Sequence, residues 1–122
     1  MSVVRGRMVD PLYLMRADSR LCVLAAMKGH CAYRGWLLLA AHVRTNHAHV
    51  VLEAEVRPER IMNELKAYAS RELNRVEGIV RRRWARHGST RWLWHDADVM
   101  NAVRYVVDEQ GLPMALFVAE GI

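Results

Sequence analysis

Two histidines separated by one small residue, His47 and His49, stand in the stretch HVRTNHAHVVLEAE, residues 42–55. Neutral imidazole is the commonest protein ligand for a metal ion. If the stretch is a strand, alternation sends both rings to one face, with Cβ atoms roughly 6.5–7 Å apart. Two imidazoles at that spacing can converge on one divalent ion, and Ala48 between them is small enough to pack beneath the strand. An isolated His-x-His is more often a surface pair, so the pattern gains weight only from a partner elsewhere in the chain.

The partner lies in VRYVVDEQG, residues 103–111. At helical spacing Asp98, Asn101, Tyr105 and Glu109 form one polar stripe, opposite Val99, Val103 and Val106. A tyrosine there is not needed for the core. Its phenol, with a free pKa of roughly 10, is a poor nucleophile until a cation or base draws off the proton. Tyr68, in LKAYASRELN, competes for the role, but it borders an apolar helical stripe of Met62, Leu65, Ala69 and Leu73 and reads as packing at the core's edge. A third feature is the basic, aromatic run IVRRRWARHGSTRWLW, residues 79–94. Arg81, Arg82, Arg83, Arg86 and Arg91 are interleaved with Trp84, Trp92 and Trp94. Arginines that track phosphates and rings that stack on bases hold single-stranded nucleic acid. Trp92 or Trp94 is expected to serve the core, and Trp84 the bases.

The elements that must position these groups follow from periodicity and punctuation. Residues 3–15 offer a first strand, interrupted by Pro11. From Asp18 to about Tyr33 the pattern is helical, with Asp18 or Ser19 as cap, an apolar stripe of Leu21, Leu24, Ala25 and Met27, and Gly35 as stop. WLLLAAHV and HAHVVLEA, joined by RTN, read as an antiparallel hairpin. Pro58 opens a helix that Gly78 ends, STRWLW is an edge strand, and His95 or Asp96 starts a last helix that runs to Gly111. The order strand, helix, strand, strand, helix, strand, helix suits one α+β domain over residues 1–122. It predicts a ferredoxin-like sandwich, an antiparallel sheet with helices on one face, plus the C-terminal helix that carries Tyr105.

Composition narrows the partner. The chain has 122 residues and a net charge of +5, with 18 basic residues of which only Lys28 and Lys66 are lysine. Arginine's planar fork matches phosphate, and a basic domain of this size has nucleic acid as its leading partner class. No apolar run approaches the roughly 20 residues of a membrane span, and the start, MSVVRGRMVD, lacks a signal-peptide core. The expectation is a cytoplasmic protein, bacterial and nucleoid-associated, with Cys22 and Cys31 as buried thiols rather than a zinc or redox pair.

With the histidines and the tyrosine helix both in view, the chain resembles the single-tyrosine HUH transposases of the IS200-like superfamily, and within it the REP-associated tyrosine transposases. AAHVRTNHAHVVL resembles the family hairpin, in which an Asn-His turn opens the histidine strand. ERIMNELKAYASRELN resembles the following helix, WARHGSTRWLW the loop before the nucleophile helix, and RYVVDEQG that helix itself. The resemblance covers roughly residues 20–112.

It implies a ferredoxin-like fold, a Mg2+ or Mn2+ ion and single-stranded DNA, hairpin or palindromic, as substrate. His47 and His49 would match the metal histidines, and Tyr105 the nucleophile that forms a 5′-phosphotyrosine. The third ligand departs from pattern, for the family often has Gln or Asn four residues after the tyrosine, where this chain has Glu109 followed by Gln110. Helix geometry favours Glu109, which shares the tyrosine's face; the choice between the two stays open. The family includes both dimers with shared sites and monomers, so a homodimer is also open. Two other readings compete. One is a domesticated hairpin-DNA binder that no longer cuts. The other is an RNA-binding ferredoxin-like module, which would show stacking rings on an open sheet face.

Overall fold

The computed structural model describes residues 2–7, 15–80, 83–84, 89–93, 95–108 and 113–120, with 2–7, 89, 91 and 92 as backbone. Five strands and three helices follow in order: β1 (Ser2–Arg7), α1 (Ala17–Arg34), β2 (Leu37–Val43), β3 (His47–Glu53), α2 (Pro58–Glu77), β4 (Ser89–Trp92), α3 (Asp96–Asp108) and β5 (Ala115–Val118). The strands form one sheet in the order β4-β1-β3-β2-β5. Every neighbouring pair is antiparallel. The first six elements and the strand order 4-1-3-2 make the ferredoxin-like unit expected from the sequence.

The sheet divides two cores. On one side α1 and α2 pack over Leu38, Ala41, Val43, Ala48, Val50 and Leu52. On the other, α3 lays Val99, Ala102, Val103 and Val106 on Leu39, Ala40, Val51 and Leu93. Strict alternation cannot send Leu39 and Ala40 to the same face. A register shift between Leu38 and Ala40 resolves this, because it breaks the pairing with β3 there and lets two consecutive residues face α3. After it, alternation resumes, with Ala41 and Val43 toward α1 and α2 and His42 between them toward α3.

Helix punctuation is mostly as read. Gly35 and Gly78 cap α1 and α2 with φ of 74° and 71°, in the left-handed region that glycine enters without strain. Pro58 stands in the first turn of α2. The start of α1 differs from expectation. The N-cap is Arg16, with no side-chain cap, and Asp18 lies inside the first turn, where its charge suits the helix dipole. Ser19 is buried, and its hydroxyl donates to Glu77 Oε2 at 3.1 Å instead of capping. The apolar stripe of α1 is also rotated. Val23, Leu24, Met27, His30 and Cys31 are buried, whereas Leu21 is 61% exposed. β5, which completes the sheet beside β2, was not anticipated. Cys31 is buried, and burial pushes its thiol up to about 11; Cys22 is only half-buried. No helix among the described residues is long and apolar enough to cross a membrane.

Candidate functional site

β3 brings the histidine pair to the α3 side of the sheet. Ala48, Val50 and Leu52 point to the α1–α2 core, so His47, His49 and Val51 must face the other way. His49 is 3% exposed, while His47 at the strand's mouth is half-buried. Their ring centroids are 5.0 Å apart and nearly perpendicular, at 85°. Asn46 Oδ1 lies 2.7 Å from His47 Nδ1. An amide oxygen only accepts, so Nδ1 carries the proton and the lone pair is left on Nε2, the arrangement a second-sphere partner gives a metal-binding imidazole. β1 adds a feature that the sequence reading missed: its register places Arg5 opposite His49 and Arg7 opposite His47.

α3 supplies the tyrosine. Its buried stripe of Val99, Ala102, Val103 and Val106 seats the helix on the sheet, and Tyr105 falls about a third of a turn round from the centre of that stripe. It therefore emerges at the helix's flank, 47% exposed. Its ring meets His49 edge-on, with centroids 5.8 Å apart and planes at 77°. Tyr105, His49 and His47 thus form a continuous row across helix and strand. Tyr68 lies elsewhere, stacked on His30 between α1 and α2 with centroids 4.0 Å apart.

Beside this row stands a residue that sequence reasoning passed over. His42 pairs with His49 across β2 and β3 and is fully buried. Its Nδ1 lies 3.2 Å from the Val106 carbonyl oxygen, and its Nε2 accepts from the Met114 amide at 2.9 Å. A carbonyl accepts and an amide N–H donates, so the ring is neutral with its proton on Nδ1. Burial lowers its pKa; the bond to Val106 opposes this and nearby Arg44 adds to the lowering. The signal was in the sequence, as a histidine inside the apolar run WLLLAAHV, but its partners are 64 and 72 residues away.

Two imidazoles on one strand face suit a divalent ion. Among the described residues no group of three His, Cys, Asp or Glu side chains is placed to hold one. Glu109 and Gln110 lie outside the described residues.

The basic aromatic run divides differently from expectation. Arg81, Arg82 and Arg86 lie outside the described residues, and Arg91 is placed only as backbone in β4, the edge strand. Arg83 is not a phosphate contact but an interior group: it is 1% exposed, and its Nη2 donates to Glu77 Oε1 at 2.8 Å and to the Ile79 carbonyl at 3.1 Å. Trp84 is likewise withdrawn from stacking on bases, since it is 6% exposed and packed in the α1–α2 core. Among the described side chains of this run, Trp84 serves the core; the side chains of Trp92 and Trp94 lie outside the described residues. The cause is local. α2 stops at Gly78, and the Arg83 guanidinium, six residues after Glu77, lies within reach of that carboxylate.

Comparison with known proteins gives three findings. The profile of the family described as "Transposase IS200 like" matches residues 14–97. No curated protein matches the chain. Among solved structures, one of a REP-associated tyrosine transposase bound to a REP hairpin superposes with a TM-score of 0.67 at 13% identity, over 86% of this chain and 62% of that one. This chain therefore spans less than two thirds of that protein's length, and the likeness is one of fold.

Proposed function

Because this chain belongs to the IS200-like transposase family, we propose that it cuts and rejoins single-stranded DNA with Tyr105 as nucleophile and a divalent metal held by His47 and His49. The observation that carries the reading is the row of Tyr105, His49 and His47. A half-exposed phenol beside an imidazole pair has little value for the core, but it is the pairing a phosphoryl-transfer site needs.

A Mg2+ or Mn2+ ion, when bound, would neutralise the phosphodiester and polarise the scissile phosphate. His47 and His49 would hold it, with Glu109, or Gln110, completing the set. Asn46 would keep His47 in the right tautomer. Tyr105 would attack in line. The phenol would give up its proton as its oxygen bonds to phosphorus, the bond to the 3′ oxygen would break, and that oxygen would take up a proton to leave a free 3′-OH, so no net proton is gained or lost. The 5′-phosphotyrosine conserves the bond energy, so a second 3′-OH can displace Tyr105 and join new ends without an external energy source. All three described groups belong to one chain, so this row does not need a second copy to form. Arg81, Arg82, Arg86 and Arg91 would supply the phosphate contacts that Arg83 and Trp84, both buried, do not. The solved relative's bound REP hairpin supports a hairpin as the form of substrate. The RNA-binding alternative needs an open sheet face, and α3 covers that face here.

The test uses 5′- and 3′-labelled single-stranded hairpin oligonucleotides with Mn2+ on denaturing gels. A covalent protein–DNA adduct is expected that EDTA, His49→Ala and Tyr105→Phe each abolish. Hairpin binding with no adduct would identify a domesticated binder, and an adduct that survives Tyr105→Phe would place the nucleophile elsewhere.

A further inference from the structure

The two ends of the chain segment that follows Tyr105 are held by one side chain. Val106 lies in the last described turn of α3. Its carbonyl takes a bond from the sheet: His42 Nδ1 donates to Val106 O at 3.2 Å. The other edge of the same ring accepts from the Met114 N–H at 2.9 Å, one residue before β5 begins. The imidazole is therefore a clasp across residues 107–113, a span that includes Glu109 and Gln110.

The clasp also has a fixed base. His42 lies on β2 in register with His49 on β3 and with Leu116 on β5. Val106 directly follows Tyr105. The path from the His49 backbone to the Tyr105 backbone is thus one strand pairing, one imidazole and one peptide unit. No other side chain reproduces it. An Asn amide reaches about where Nδ1 sits and a Gln amide about where Nε2 sits, but neither can donate at the first site and accept at the second.

We infer that His42 is a positioning residue, which holds the Tyr105 helix at a set distance from His49 by joining the Val106 carbonyl to the strand that follows. It touches neither DNA nor metal in this role. The catalytic consequence rests on the function proposed above; the geometric one does not.

The experiment compares wild type, His42→Asn, His42→Gln and Tyr68→Phe, each at a temperature where it is fully folded. Two readouts need no DNA. Long-range proton–nitrogen correlation reads the His42 tautomer, expected as Nδ1–H in wild type. The ring-to-ring Overhauser contact between Tyr105 and His49 is expected to weaken in both His42 variants, and Met114 amide exchange to accelerate most in His42→Asn. The third readout is single-turnover adduct formation with saturating hairpin DNA. Here the His42 variants are expected to be about 10- to 100-fold slower, with hairpin Kd within about twofold of wild type. A purely structural histidine would lower Tm and leave the rate per folded molecule unchanged, which would overturn the inference. An Nε2–H tautomer, or an unaltered Tyr105–His49 contact in both variants, would overturn it without reference to DNA. If wild type formed no adduct at all, the chemistry proposed above would fail, and the ring contact would still decide the positioning role.

Discussion

Two histidine–tyrosine pairs sit on opposite sides of one sheet, and they have opposite fates. Between α1 and α2, His30 stacks face to face on Tyr68 at 4.0 Å and meets Trp36 edge-on at 5.4 Å. Its Nε2 lies 2.7 Å from Glu64 Oε1, and the same carboxylate accepts from Arg34 and Arg60, each at 2.8 Å. Burial pushes the Glu64 carboxyl up, but the hydrogen bonds from Arg60, His30 and Arg34 outweigh it and hold the pKa at about 2. Glu64 is therefore ionised at neutral pH and can only accept, so His30 donates. On the far side, His49 meets Tyr105 at 5.8 Å with the phenol ring 47% exposed. The residue types match, and the difference is where the tyrosine's edge goes. Tyr68 spends its face on a buried ring and ties two helices together, whereas Tyr105 touches its histidine with an edge and leaves its flank to solvent.

That contrast can be broken by exchange. Tyr105→Phe is expected to lower adduct formation by about 1,000-fold or more while shifting Tm by a degree or two, because it removes the nucleophilic oxygen and keeps the ring. Tyr68→Phe should leave the rate within about twofold. A rate loss at Tyr68 equal to that at Tyr105 would erase the distinction. A smaller effect separates the buried arginine from the exposed ones. Arg83→Met removes the buried guanidinium that pairs with the Glu77 carboxylate and should cost about 3 kcal/mol of stability by chemical denaturation. The slope of hairpin affinity against salt should stay unchanged, whereas each true phosphate contact removed lowers that slope by roughly one.

On the structural side of the sheet, Glu64→Gln should cost about 2 kcal/mol with the adduct rate per folded molecule unchanged. Its pH signature follows from the sign of the shift. The folded carboxyl titrates at about 2, below its ordinary 4.5, so its contribution is complete above the ordinary value and is lost as pH falls toward 2. Stability of wild type should therefore decline across that window more steeply than that of Glu64→Gln, as read from urea midpoints at stepped pH. The smallest effect belongs to Leu21, which the sequence placed in the core and the structure leaves 61% exposed. Leu21→Ser should change stability by no more than about 0.5 kcal/mol.

The two sides of the sheet were also unequally legible. The His47–His49 pair and the Tyr105 flank could be read because each depends on local period alone, two for a strand and 3.6 for a helix. The stripe of α1 was misphased because one of its inward positions is His30, a polar residue whose burial depends on Glu64 in another helix. Arg83 and Trp84 were read as a binding surface because composition cannot see the Glu77 carboxylate that draws the arginine inside. β5 is four residues with no alternation to mark it, and it owes its place to pairing with β2. His42 was unreadable for the same reason as Arg83, since both of its partners arrive through tertiary structure.

The register shift in β2 has a consequence for how this chain can vary. Side chains along a strand obey a two-letter rhythm, and the shift between Leu38 and Ala40 is a frameshift in it. Upstream, the frame is set by Trp36 and Leu38 in the helical core; downstream, by His42, which must meet Val106 and Met114. Leu39 is the inserted letter: Leu38 pairs with Leu52 and Ala40 with Val51, so a deletion of Leu39 would restore plain alternation and keep both frames, losing one side chain that packs against α3. A residue lost or gained between Ala40 and His42 would instead put Leu38 and His42 out of phase and turn His42 away from Val106 and Met114. The strand thus tolerates a change of length at one point and forbids it immediately after.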